Sequence, residues 1–162
     1  MDSTAYLEVI SVIERTHRHF LEIVKLELER SGVRDANNVQ ALMLFNIGDA
    51  EMTVGELTLR GCYLGSNVSY NVSKLVEKGY LAAERSEHDR RSIRVRLTDK
   101  GRELRDGLNA MHQRHIEMLG QTNITADDLE GAKAMLERLE RFWSDASNPY
   151  GRRVYPPVAA AD

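Results

Sequence analysis

Apolar residues recur along most of this chain at helical spacing. Between residues 4 and 31, Tyr6, Ile10, Ile13, His17, Phe20 and Val24 step by four and three, which marks one face of an α-helix. A second row, Val12, His19, Ile23 and Leu26, widens that face. So broad a stripe, at a spacing of about 3.5 residues, exceeds what one small body covers and suits a partner helix. Ser31-Gly32 predicts where the helix ends. A second helix is predicted from about Asn38 to Ile47, stopping at Gly48. Thr53-Val54-Gly55-Glu56 fits a capping box, which opens a short third helix carrying Leu57 and Leu59 and ending near Gly61. Gly61-Cys62-Tyr63-Leu64-Gly65 reads as a turn. Ser66 or Asn67 then caps a fourth helix that ends at Lys78-Gly79, with Val68, Val72, Leu75 and Val76 on its inner face.

After Gly79 the period changes to two. Tyr80 to Arg85 is a short extended run, and Ser86 to Arg91 is wholly polar or charged. Ser92 to Leu97 alternates, with Ile93, Val95 and Leu97 on one side and Arg94 and Arg96 on the other. This predicts a two-stranded hairpin with a charged tip. Thr98 caps a fifth helix with Leu104, Leu108, Met111, His115 and Met118 in a row, and Gly120 breaks it. Thr125-Ala126-Asp127-Asp128 starts a sixth, with Leu129, Ala132, Leu136, Leu139 and Trp143 on one face. The expected fold is mainly α with a small β-hairpin wing.

Composition sharpens this picture in three places. All three prolines fall in the last fourteen residues, so no proline interrupts a helix before Asn148, and residues 149–162 are expected to form an irregular tail. The lone Cys62 excludes an internal disulfide and any multi-cysteine zinc module. Charge is segregated: residues 60–105 carry eleven Lys or Arg against six Asp or Glu, in a chain of net charge −3. A basic patch on an acidic body is an electrostatic footprint that whole-chain charge conceals. The opening residues lack a signal-peptide pattern and no apolar run is long enough to span a membrane. A cytoplasmic location and no membrane partner are expected.

The middle of the chain therefore reads as a winged helix-turn-helix. The outer face of the fourth helix carries Ser66, Asn67, Ser69, Tyr70, Asn71, Ser73 and Lys74. Short hydrogen-bonding side chains at a helix N-terminus suit base edges and phosphates. The wing contributes Arg85, His88, Asp89, Arg90, Arg91, Arg94 and Arg96. Arginine is favoured in a narrow minor groove, and Asp89 can hold a neighbouring arginine's direction. Residues 35–102 form the expected DNA-binding lobe, and 1–34 with 103–148 the helical dimerisation region.

Leu75-Val76-Glu77-Lys78-Gly79-Tyr80-Leu81, followed by His88-Asp89-Arg90-Arg91-Ser92-Ile93-Arg94-Val95-Arg96-Leu97-Thr98-Asp99-Lys100-Gly101, closely resembles the wing of MarR-family (multiple antibiotic resistance regulator) transcription factors. Asp89, Arg91, Leu97, Thr98 and Gly101 match that pattern, and the order of elements matches over residues 5 to 145. The resemblance implies an obligate homodimer built from the first and last two helices. It implies a pseudo-palindromic double-stranded operator, with Arg91 at the minor groove and Asp89 as its brace. It also implies a regulator, usually a repressor, that releases DNA when a small aromatic or anionic effector binds. The fourth helix departs from the pattern by lacking an arginine.

His17, His19, Phe20, Phe45, Tyr63 and His112 are candidates for lining an effector pocket; core packing and a polar dimer seam are the alternatives. A pair such as His112 and His115 has the spacing to hold a metal, but no cysteine or third ligand lies near in sequence, so no metal and no cofactor are expected. The chain has no nucleotide-binding glycine loop, nucleophile elbow or His-Glu-x-x-His, and the reading is non-enzymatic. Two rivals share the same residues. One is a low-specificity architectural DNA-binding protein, which competition with random DNA would reveal. The other is a winged-helix protein-interaction module, for which DNA affinity would not fall steeply with salt.

Overall fold

The computed structural model describes residues 3–61, 65–85 and 92–147. Among them, the elements run α1 (Ser3–Arg30), α2 (Asn38–Ile47), β1 (Met52–Thr53), α3 (Val54–Arg60), α4 (Gly65–Glu77), β2 (Leu81–Arg85), β3 (Ile93–Leu97), α5 (Asp99–Leu119) and α6 (Ala126–Ser147). All six expected helices are present. The expected hairpin gains a third strand: β1 pairs antiparallel with β3, Met52 opposite Val95, giving the sheet order β1-β3-β2. Two residues are too short to show a period, so no alternation in the sequence announced β1.

The chain divides into two compact units, one up to Met111 and one from His112 onward, with α5 running through the boundary. In the first unit, Val24 and Leu28 of α1, Leu44 and Ile47 of α2, Leu57 of α3, Val68 and Leu75 of α4, Val95 and Leu97 of β3 and Leu108 of α5 share one buried core. Only the C-terminal part of α1 enters it; Tyr6, Leu7, Val12, Ile23 and Leu26 stay exposed. In the second unit α6 opens on a reciprocal cap, Asp128 accepting from the Thr125 backbone N–H and Thr125 Oγ1 accepting from the Asp128 N–H. Leu129, Met135, Leu136 and Phe142 of α6 are exposed.

Helix α4 is half embedded. Val68, Val72 and Leu75 are buried as expected, but Val76 is 36% exposed and Asn71 is buried in its stead. The Asn71 side chain is fully engaged: Oδ1 accepts from Gln40 Nε2 of α2 at 3.1 Å, and Nδ2 donates to the Asn67 carbonyl at 2.9 Å. A buried amide is stable only when so paired. This interlock locks α4 against α2. On β3, Val95 and Leu97 face the core but Ile93, at the tip end of the strand, is 43% exposed. The sheet's buried face has ended by that residue.

A junction of four elements fixes the wing. The Gly79 N–H donates to the Val76 carbonyl and the Tyr80 N–H to the Leu75 carbonyl, a Schellman turn in which Gly79 takes φ +77°. Thr98 then clamps the turn, its N–H reaching the Tyr80 carbonyl at 3.1 Å and its Oγ1 the Gly79 carbonyl at 2.6 Å. The same Oγ1 accepts from the Gly101 N–H and so caps α5. Gly101 lies against the Tyr80 carbonyl; a Cβ there would stand 2.2 Å from that oxygen. The Tyr80 hydroxyl donates to Asp35 Oδ1 at 2.5 Å, and Lys100 Nζ donates to Asp35 Oδ2 at 2.7 Å while lying 4.1 Å above the Tyr80 ring. Lys100, and secondarily Tyr80, hold the Asp35 carboxyl below the usual range. Burial, reinforced by the Asp35 carboxylate, pushes the Tyr80 hydroxyl well above the ordinary tyrosine value.

Three substitutions test this packing by thermal or urea unfolding. Gly101→Ala drives a methyl group into the Tyr80 carbonyl and costs about 1–3 kcal/mol. Gly107→Ala, in the same helix with open space around it, stabilises by about 0.5–1 kcal/mol. Asn71→Ala orphans Gln40 inside the α2–α4 interlock and costs about 1–3 kcal/mol; an unchanged unfolding midpoint would show that the interlock does not hold α4.

Candidate nucleic-acid interface

The exposed arc of α4 is short, polar and nearly uncharged. Ser66, Asn67, Ser69, Tyr70 and Ser73 are exposed, and Lys74 is half-buried at the edge of the arc. Tyr70 is the large side chain of this arc and is 62% exposed. Lys74 donates to Glu77 Oε2 at 2.7 Å; that pair raises the lysine and lowers the glutamate from their ordinary values. Asn71 does not join the arc. It was expected on the DNA-facing surface, but its side chain is spent on Gln40 and Asn67, and its place is at the α2 contact. Helical spacing puts residue 71 on the border between faces, and the sequence alone does not say that Gln40 lies opposite it.

Helix α3 braces α4 from its own capping box. Thr53 Oγ1 accepts from the Glu56 N–H at 3.1 Å, and Glu56 Oε2 accepts from the Thr53 N–H at 2.6 Å. The Thr53 N–H holds the Glu56 carboxyl below its usual range, with smaller help from Arg94 and Arg60.

The sheet brings the wing's base beside α4. Register places Glu84 opposite Arg94, Ala82 opposite Arg96 and Arg85 opposite Ile93. Arg94 and Arg96 therefore share the outward face, about half exposed. Each has a carboxylate partner: Arg94 reaches Glu51 and Arg96 reaches Glu84, both at 3.4 Å. Such exposed pairs contribute little to stability, so the guanidinium groups can exchange carboxylate for phosphate at small cost. Of these four side chains the sequence predicts the two arginines as wing residues and gives no role to Glu51 or Glu84. The signal for Glu84 was the cross-strand register, which a hairpin of known length would have given. Arg85 is exposed at the end of β2. His88, Asp89, Arg90 and Arg91 lie outside the described residues.

The expected effector residues are scattered. Phe20 and Phe45 are partly buried and pack on the core of the first unit. His17 and His19 are exposed on α1. His112 belongs to the second unit, where burial, then the charge of His115, holds its imidazole below the usual value. Tyr63 lies outside the described residues. A cleft of about 120 Å³ opens elsewhere, between Gly48, Asp49, Glu51, Arg96, Leu97 and Arg102. Among the described residues, no group of three or more His, Cys, Asp or Glu is placed to hold a metal ion, and no helix is long and apolar enough to cross a membrane.

This geometry has known counterparts. Residues 37–101 match the family of winged helix DNA-binding domains. The exopolysaccharide II synthesis transcriptional activator ExpG of Rhizobium meliloti is 40% identical over 146 residues, which cover 90% of this chain and 75% of that protein. FabT of Streptococcus pneumoniae, solved in complex with DNA, superposes with a TM-score of 0.70 at 22% identity, over 87% of this chain and 99% of that one. MarR of Staphylococcus aureus, solved with salicylate and kanamycin, gives 0.69 at 20% identity, over 87% and 93%. These solved structures establish a shared fold, and ExpG adds sequence identity along most of both chains. With its winged lobe, its flanking helices and its wing motif, the chain belongs to the MarR family of DNA-binding, winged-helix transcriptional regulators.

Proposed function

We propose that the chain acts as a homodimer on a pseudo-palindromic operator, with α4 of each copy in successive major grooves and each wing in a flanking minor groove. The observation that carries this reading is the exposed polar arc of α4 beside a sheet whose outer face bears Arg94 and Arg96. Phosphate contacts from the basic lobe position the protein, and α4 reads bases. Arg91 enters the minor groove with Asp89 as its brace, and Arg85 and Arg90 add phosphate contacts. Residues 35–102 are the DNA-binding lobe in this reading; 1–34 and 103–148 join the two copies, and 149–162 form a tail.

Apolar surface supports the dimer. Leu7, Val12, Ile23 and Leu26 on α1, and Leu129, Met135, Leu136 and Phe142 on α6, are left exposed in one copy. Exposed apolar side chains in such number on each of these helices suit burial against a partner. The expected effector is a small aromatic or anionic molecule, a class to which the salicylate bound by the S. aureus MarR belongs. Ligand binding would shift the population toward a spacing of the two α4 helices that misses successive grooves, to the extent of its differential affinity. Repression by occluding a promoter is one outcome of operator binding. Activation is the second reading, favoured by the designation of ExpG as an activator; a reporter driven by the bound promoter, with and without the protein, gives the sign.

A salt titration of DNA affinity tests contact directly. The parent chain shows affinity falling steeply with log salt, and Arg91→Ala lowers the slope by about one unit. An equally steep slope in the variant removes Arg91 from the interface, and a flat slope in the parent favours a protein-interaction module. Phe142→Asp places a charge on the apolar face of α6, and sedimentation then finds monomers where the parent gives dimers. A dimer of undiminished stability would contradict the assignment of α6 to the interface.

A further inference from the structure

We infer that α4 reads A·T pairs, with the ring of Tyr70 against the 5-methyl group of a thymine in the major groove. The inference rests on the reading that α4 enters that groove, and it names what α4 recognises there. Guanine is ordinarily read by a cation that reaches O6 and N7, and arginine does this best. Helix α4 has no arginine, and its one lysine, a point charge without arginine's two-pronged fork, stands half-buried at the edge of the arc, 2.7 Å from Glu77. Cytosine N4 calls for a carboxylate, and the only one on α4, Glu77, is the helix's last residue, two turns beyond Tyr70. Adenine is read by Asn or Gln; Asn71 is withdrawn into the α2 contact, which leaves Asn67 as the exposed amide of the arc.

What α4 does offer is an aromatic ring among hydroxyls. Tyr70 is 62% exposed. Its helical neighbours on the same face are Ser66, Asn67, Ser73 and Lys74, and Ser69 precedes it. Serine side chains end close to the backbone, so the ring stands beyond them, and the Lys74 ammonium one turn on is drawn to Glu77. Serine hydroxyls donate and accept, and so discriminate little among base edges. The one apolar feature of the major groove is the thymine methyl. A protruding ring on an uncharged, hydroxyl-lined helix is complementary to that group. Asn67, one turn before Tyr70, is placed to meet an adenine nearby.

The test starts from the full-length protein and duplexes selected from a randomised pool. Each thymine of a selected half-site is replaced in turn by uracil, which removes only the methyl group. One position per half-site should weaken binding by about fourfold, the expectation for one buried methyl. Tyr70→Phe should keep that discrimination, and Tyr70→Ser should bind thymine and uracil duplexes equally while melting at the parent temperature. Uracil duplexes bound as tightly as thymine duplexes at every position would overturn the thymine contact while leaving operator binding intact. So would a Tyr70→Phe variant weakened equally on all sequences, because the hydroxyl would then be holding a phosphate. A pool that yields no enriched sequence overturns operator reading itself and the thymine contact with it.

Discussion

The fold turns on a single carbonyl. The Tyr80 oxygen accepts from the Thr98 N–H and from Thr98 Oγ1, and the backbone of Gly101 presses against it with no room for a side chain. Four elements meet there: the end of α4, the start of β2, the end of β3 and the first turn of α5. Because each contact is a backbone group or a hydroxyl carried on Cβ, the junction has little freedom. The direction of α4 and the direction of the wing are therefore set by the same few atoms. This explains physically why a Leu-Thr-x-x-Gly run should follow such a wing: threonine serves at once as clamp and helix cap, and glycine permits the approach. The Asp35–Tyr80–Lys100 contacts tie the loop before α2 into the same node.

Electrostatics are divided between the two halves of the lobe. The wing carries the arginines, and α4 carries almost no net charge. In the proposed mode of binding, affinity and selectivity would reside on different elements. The wing's guanidinium groups at its base already rest on Glu51 and Glu84, which orients them outward without committing them. The α4 arc, cleared of charge by the Lys74–Glu77 pair and cleared of Asn71 by the Gln40 interlock, is free to discriminate by shape and by apolar contact.

Much of this was legible in the sequence because it rests on local periodicity and local caps. The Thr53–Glu56 box, the Gly79 turn and the Thr98 cap each leave a signature within three residues. The end of α2 at Ile47 is marked by Gly48, which takes the C-cap. What escaped was non-local. The strand β1 exists because Met52 meets Val95, forty-three positions away in the chain. Asn71 turns inward because Gln40 stands opposite it, and Val76 stays exposed because that exchange moves the buried arc by one position. Phe20, on the apolar row of α1, and Phe45 pack on the core, the alternative to a pocket that the sequence left open.

In this account α4 and the wing form one stiff surface, doubled by a twofold axis and laid along one side of a duplex. Hydroxyl-radical footprinting of the full-length protein on a selected operator tests that most directly. Protection should fall on one side of the helix, in two clusters about one helical turn, roughly 34–36 Å, apart, with a further protected stretch beyond each where the wings reach. Protection running evenly around and along the duplex, or a single cluster without its symmetry mate, would contradict it.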